Sequence, residues 1–323
     1  MKEMEMTENR KTERKEEGME PLPPLQVSPE EFPESEELPE GARTVKLEDG
    51  YGYHIKFLHN LVYVNRSGME LHLHLMLPED PKRTEGWPLI VFVQGSAWFK
   101  QEIFASIQDT LRMCERGYAV ATVEYRPSEV APFPAQAQDA KTAIRFLKKH
   151  ADEYGIDKNR VALWGDSSGG HTVLMAGFTC DGEPDTEEYG EISASVRCIV
   201  DWYAPTDIAM MSYYPSVQDH AGPDSPEGLL IGKKNVLENR ELADTTSPLR
   251  YLTADRPTPP LLIMHGGSDM LVPFNQSCRL YERMKELGKD VELIKFIKAG
   301  HGYGGFHCSQ TLDLIEEFLK KHL

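Results

Sequence analysis

The chain has 323 residues, 40% of them hydrophobic, and a formal net charge of −17 at pH 7. That length suits one large domain or two small ones with enough apolar side chains for a sizeable core. The acidic balance argues against nucleic acid or an anionic membrane surface as a partner. The charge is uneven: residues 1–40 hold 13 glutamates against five lysines and arginines, a net of −8. Residues 1–20 are mostly charged residues and methionine and are expected to form at most a transient helix. Prolines at 21, 23, 24, 29, 33 and 39 then alternate with glutamates. So little apolar surface predicts a disordered acidic tail over 1–40, with a partner-binding peptide as the alternative. The start has no apolar h-region. Runs such as Leu89–Val93 fall far short of the roughly 20 apolar residues of a membrane span.

From about residue 45 the pattern changes. Asn60–Val64 and Met69–Leu77 alternate or run apolar and predict an antiparallel pair. His72 and His74 share one face of the second strand; without a third ligand they are expected to be ordinary strand positions rather than a metal site. Leu89–Val93 is a short continuous apolar run, as in a strand buried on both faces. Phe104, Ile107, Leu111 and Cys114 follow helical spacing, and 118–125 (YAVATVEY) predicts the next strand. Ala140, Ile144 and Leu147 mark a helix over 134–150. Strands are expected at Arg160–Trp164, Val196–Trp202, Leu261–His265 and Val291–Ile297. Helices are expected from His171 to Phe178 and around Leu312, Ile315 and Leu319. Strands separated by helical stretches imply βαβ units, a mostly parallel doubly wound sheet and helices on both faces. Residues 206–250 interrupt the rhythm as an insertion after the sixth strand. The five cysteines, at 114, 180, 198, 278 and 308, are odd in number and none forms C-x-x-C. They predict neither a disulfide framework nor a zinc site, and a cytoplasmic chain with reduced thiols.

The stretch VALWGDSSGGH, 161–171, carries the chemistry. Trypsin-like proteases show similar letters, but in an all-β chain with His and Asp before the serine. Here Trp164 ends a strand and Gly169-Gly170-His171 opens a helix, so Gly165-Asp166-Ser167-Ser168-Gly169 fits the nucleophile elbow, with Ser167 exposed above the sheet. Taken alone, the motif is also compatible with a plain glycine-rich connection. The elbow demands an acid and then a histidine downstream, each just after a strand. LLIMHGGSDMLVP delivers Asp269 and IKFIKAGHGYGG delivers His301, with Asp207 as the rival acid. His171 and His265 are expected to be structural. An oxyanion hole is expected from the backbone N–H of Gly95 or Ser96, after the first parallel strand, with that of Ser168. Trp98, at the end of that loop, would crowd the acyl side of the site. No metal or organic cofactor is required.

The segments 124–171, 224–232 (DSPEGLLIG), 246–252 (TSPLRYL) and 265–277 resemble the Bacteroidetes feruloyl and acetyl-xylan esterase group, near the hormone-sensitive-lipase-like esterases. The resemblance spans roughly 45–322 and implies an α/β-hydrolase fold and a Ser167–Asp269–His301 triad. Gln94 and Ser96 depart from the group's His-Gly-Gly-x-Trp pattern. Members cleave acetyl, feruloyl and other small acyl esters, and relatives include arylformamidases. The expected activity is hydrolysis of short acyl esters of sugars or small aryl alcohols. The alternatives are a broad carboxylesterase, an arylformamidase-like hydrolase, or a non-catalytic receptor or scaffold. The expected partner is a small ester; composition does not fix the oligomeric state.

Overall fold

In a computed structural model of the chain, residues 23–28, 31–36, 38–46 and 53–323 are described. The chain divides into two compact units, Met1–Tyr51 and Gly52–Leu323. In the first, every described residue is exposed and none lies in a helix or strand. The helix expected over 1–20 lies outside the described residues.

The second unit is built on strands β1 (His54–Arg66), β2 (Met69–Glu79), β3 (Trp87–Val93), β4 (Ala119–Val123), β5 (Ile156–Asp166), β6 (Cys198–Trp202), β7 (Leu261–Gly266) and β8 (Val291–Phe296). They form one eight-stranded sheet in the order β1-β2-β4-β3-β5-β6-β7-β8. β1 pairs antiparallel with β2, and β2 with β4; every later pairing is parallel. This is the doubly wound sheet with an antiparallel N-terminal pair that the strand–helix alternation implied.

Helices α1 (Ile107–Glu115), α2 (Ala135–Lys149), α3 (Ala151–Tyr154), α4 (Ser167–Thr179), α5 (Ile208–Met211), α6 (Pro226–Leu230), α7 (Arg240–Thr245), α8 (Asn275–Glu286) and α9 (Ser309–His322) complete the unit. Strand alternation divides the core. Leu89, Val91 and Val93 join Ile144 and Leu147 of α2, Val173 and Leu174 of α4, and Leu280 and Met284 of α8. Ile90 and Phe92 join Met113 and Cys114 of α1 and Leu312, Ile315 and Leu319 of α9. Each such aliphatic side chain contributes about 1.5–3 kcal/mol by leaving water. All seven residues of β3 are buried, which explains its unbroken apolar run.

One helix faces differently from its pattern. The apolar spacing put Phe104, Ile107, Leu111 and Cys114 inward, yet the first three are exposed, and α1 buries Asp109, Thr110, Met113 and Cys114. Asp109 is held there by His307, whose Nδ1 lies 2.5 Å from Asp109 Oδ2. That hydrogen bond also raises the His307 pKa. A carboxylate with a partner this close can face inward, and the helix turns to suit it.

Candidate active site

β5 delivers Asp166 in extended conformation (φ −119°) and the chain turns abruptly into α4. Ser167 sits at the bend with φ +52°, a strained conformation for a residue with a side chain. The glycines make the bend possible. A Cβ on Gly165 would lie 2.5 Å from Gly169 O, and one on Gly169 only 2.0 Å from Val93 O. Glycine is therefore required by the approach of α4 to its own turn and to β3, beyond any crowding around Ser167 itself.

The structure brings Ser167, His301 and Asp269 together at the carboxyl ends of β5, β8 and β7. Ser167 Oγ is 3.0 Å from His301 Nε2, and His301 Nδ1 is 2.8 Å from Asp269 Oδ2. The other carboxylate oxygen, Oδ1, accepts the N–H groups of Leu271 at 2.8 Å and Val272 at 2.9 Å. Burial opposes the charge on Asp269, but hydrogen bonds from His265 and His301 outweigh it and hold the carboxyl well below the usual range. His265 lies behind the acid, Nε2 3.2 Å from Asp269 Oδ2 and Nδ1 2.7 Å from Ser277 Oγ. The rival, Asp207, is elsewhere: its carboxylate is 2.8 Å from the Arg279 guanidinium. A hydroxyl, an imidazole and a carboxylate so linked can move a proton from oxygen to nitrogen and stabilise the cation that results.

The loop expected to supply the oxyanion hole is engaged differently. The Gly95 N–H donates to Asp166 Oδ1 at 2.9 Å, and the Ser96 N–H to Ser168 Oγ at 2.9 Å. Both amides assigned from sequence are thus engaged within the chain. The next amide, of Ala97, makes no hydrogen bond among the described residues. Ala97 and Trp98 both have positive φ, +55° and +58°, so the loop bends sharply here. Ser168 is in the first turn of α4, where an N–H has no intrahelical acceptor. Gln101 and Tyr125 fix this loop from behind. The Gln101 amide donates to Gln94 O at 2.9 Å and accepts the Tyr125 N–H at 2.8 Å, while Tyr125 Oη lies 2.9 Å from Ser96 Oγ.

Trp98 is buried, and its indole N–H donates to His171 Nδ1 at 3.1 Å. His171 Nε2 is 2.8 Å from Thr246 O, so one ring ties the oxyanion loop, the elbow helix and the 206–250 segment together. With Nδ1 an acceptor and Nε2 a donor, the ring must be neutral. Burial lowers its pKa from 6.5 to about 4. A depressed folded pKa implies stability that is fully present above 6.5 and lost as pH falls to about 4, where it levels off. The loss is about 3 kcal/mol. Urea unfolding of wild type and His171→Gln should show their difference narrowing by that amount between about pH 7 and pH 4. A difference independent of pH would mean that His171 is not held neutral.

A cavity of about 280 Å³ opens beside Ser167 and His301. The 206–250 segment supplies Gln218, His220, Pro226 and Glu227 to its wall, and the Asp269 loop supplies Leu271 and Val272. Tyr203, another lining residue, packs its ring 4.5 Å from that of His301 and has φ +46°. Sequence reasoning gave no role to Tyr203, His220, Glu227 or Ala97, although Ala97 lies in the loop pattern before Trp98 and Glu227 in the 224–232 segment. It also missed Asp201, which is fully buried at the end of β6 and whose Oδ1 accepts the Ala204 N–H at 3.0 Å. Burial raises its pKa to about 8. Asp166 was legible as the second residue of the motif, but its grip on Gly95 was not. His72 and His74 have protein partners: His72 Nδ1 is 3.2 Å from Glu124 Oε2, and His74 Nδ1 accepts the Asn60 N–H at 3.0 Å. Among the described residues no group of three or more His, Cys, Asp or Glu could hold a metal ion, and no helix is long and apolar enough to cross a membrane.

Known proteins share this architecture. A truncated carbohydrate esterase from gut microbiota superposes with a TM-score of 0.73 at 30% identity, covering 84% of this chain and 97% of that one. Esterase Est2 of the planctomycete Thermogutta terrifontis gives 0.65 at 25% identity, covering 84% of this chain and 92% of its own. Esterase LipC of Mycobacterium tuberculosis is 26% identical over 249 residues, which is 74% of this chain but 59% of LipC. The chain thus spans little more than half the length of that curated relative. The BD-FAE family model matches residues 73–284, well over half of the sequence. The chain belongs to the BD-FAE family and has the α/β-hydrolase fold.

Proposed function

We propose that the protein is a serine esterase that hydrolyses short acyl esters, acetyl above all, of sugars or small aryl alcohols. The observation that carries this reading is the hydrogen-bonded chain from Ser167 Oγ through His301 to Asp269, 3.0 and 2.8 Å long, open to a cavity. His301 Nε2 takes the hydroxyl proton as Ser167 Oγ attacks the ester carbonyl. Asp269 keeps the imidazole in the tautomer with Nδ1 protonated and stabilises its charged form. The alcohol leaves with the proton from His301. Water, deprotonated by the same nitrogen, then releases the acid. The amides of Ala97 and Ser168 hold the developing oxyanion, because those of Gly95 and Ser96 already have acceptors.

The comparisons support this reading. Est2 is described with propionate bound and with butyrate bound, both short acids, and as phosphonylated by sarin, a reaction typical of an activated hydroxyl. The gut relative is called a carbohydrate esterase. Trp98, fixed by His171, is a rigid wall that would crowd a long acyl chain. The test is kcat/KM on nitrophenyl esters of about two to about twelve acyl carbons. It should fall with chain length, each methylene changing it by an amount worth at most about 1–3 kcal/mol. A rise toward long chains would remove the crowded acyl side, and no acetate release from acetylated sugars would leave a broad carboxylesterase.

A further inference from the structure

The wall supplied by the 206–250 segment contains a second Ser–His–acid chain. Ser216 Oγ is 2.8 Å from His220 Nε2, and His220 Nδ1 is 2.9 Å from Glu227 Oε1. It is not a second nucleophilic centre. Ser216 Oγ is within hydrogen-bond distance of Met270 O and Leu271 O, at 3.1 and 3.0 Å, and accepts the Gln218 N–H at 3.1 Å. A hydroxyl enclosed in this way is a fastener: it ties the segment to the loop that carries Asp269.

The acid end has no such explanation. Glu227 is only 3% exposed and lines the cavity that holds Ser167 and His301. Its second oxygen, Oε2, is buried with no hydrogen-bond partner. A carboxylate is an acceptor only, and a buried acceptor without a donor is costly enough to call for a reason. Among the described residues none donates to Oε2, which leaves it open to a donor from whatever enters the cavity. His220 Nδ1 already lies on Oε1, so one carboxylate oxygen has its partner within the chain and only Oε2 is open. The neighbouring wall residue Gln218 adds another polar side chain to this part of the cavity.

We propose that Glu227 Oε2 accepts a hydrogen bond from a free hydroxyl on the alcohol half of the ester, making Glu227 the residue that selects polyhydroxylated alcohols. This deepens the esterase reading and rests on it. Glu227→Gln keeps the shape and an acceptor for His220 but replaces the free acceptor with an amide donor, so the preference should collapse. Glu227→Asp keeps the charge and should retain more of it.

The experiment compares glycerol 1-acetate with its 2,3-di-O-methyl ether, in which both hydroxyl donors become methoxy groups, with nitrophenyl acetate and acetylcholine as further substrates. The added methyl bulk is common to wild type and variants, so the change of the ratio on substitution reads the donor. Wild type should favour the free glycerol ester in kcat/KM by about ten-fold or more. Glu227→Gln should bring that ratio to within about three-fold of unity, with Glu227→Asp between them. A wild-type ratio near one would overturn the proposal, leaving water as the partner of Oε2. So would an unchanged ratio in folded Glu227→Gln. A marked preference for acetylcholine that Glu227→Gln removes would overturn it in favour of a cation site. If Glu227→Gln does not fold, the wild-type ratio and Glu227→Asp decide. Failure of the esterase reading looks different: no ester, nitrophenyl acetate included, would be turned over by wild type, and this inference would fall with it.

Discussion

Ser167→Ala is expected to lower kcat/KM on nitrophenyl acetate by about 10⁶, the scale set by nucleophile removal in a serine protease, while the unfolding midpoint stays close to wild type. The two halves of that expectation have separate causes. The hydroxyl is the atom 3.0 Å from His301 Nε2, and among the described residues no other side-chain hydroxyl has that contact. Ser168 Oγ accepts the Ser96 N–H and lies 3.2 Å from Tyr125 Oη, so it cannot substitute. The fold, by contrast, loses only one partly exposed hydrogen bond. The positive φ of Ser167 is imposed by Gly165 and Gly169 and is as available to alanine as to serine. The variant should also resist phosphonylation by an organophosphate, which marks the residue directly by mass. Turnover near the wild-type level would remove Ser167 from the mechanism, whatever the fate of the other residues.

What the sequence reveals and what it hides follow a physical division. Ser167, Asp269 and His301 were legible because each sits just beyond a strand, and strands of this sheet are short apolar runs that declare themselves. The elbow glycines were legible because a Cβ on either would come within 2.0–2.5 Å of backbone atoms, which leaves no alternative residue. The hydrogen bonds that engage the Gly95 and Ser96 amides were not legible because their acceptors, Asp166 and Ser168, lie 71 and 72 residues away. The buried face of α1 was misread for the same reason: Asp109 meets His307 from 198 residues away. Glu227 and His220 lie only seven residues apart. Even so, nothing local distinguishes a buried pair from two polar residues on a surface loop. Local patterns record backbone demands, and partner contacts enter only with tertiary structure.

Asp269→Asn is expected to lower kcat by about 10⁴, and Asp207→Asn by far less. The argument turns on one proton. Asp269 Oδ2, 2.8 Å from His301 Nδ1, accepts from that nitrogen and so leaves Nε2 free of hydrogen and facing Ser167. In the asparagine variant the carbonyl oxygen is drawn to the Leu271 and Val272 amides, which already bind Oδ1 at 2.8 and 2.9 Å. The NH₂ group then faces Nδ1 and forces the proton to Nε2, the nitrogen that must take the serine proton. The geometry survives and the chemistry does not. His265, 3.2 Å behind Oδ2, would also face an amide donor in place of a charge, which adds to the loss. Asp207 has none of this leverage. Its charge is neutralised by Arg279 at 2.8 Å, and its backbone N–H is fixed by Gln276 at 2.7 Å. Removing that charge weakens a half-exposed ion pair, worth at most about 1 kcal/mol. Measured side by side on nitrophenyl acetate, the two variants should differ by about three orders of magnitude or more, and the reverse ranking would transfer the acid's role to Asp207.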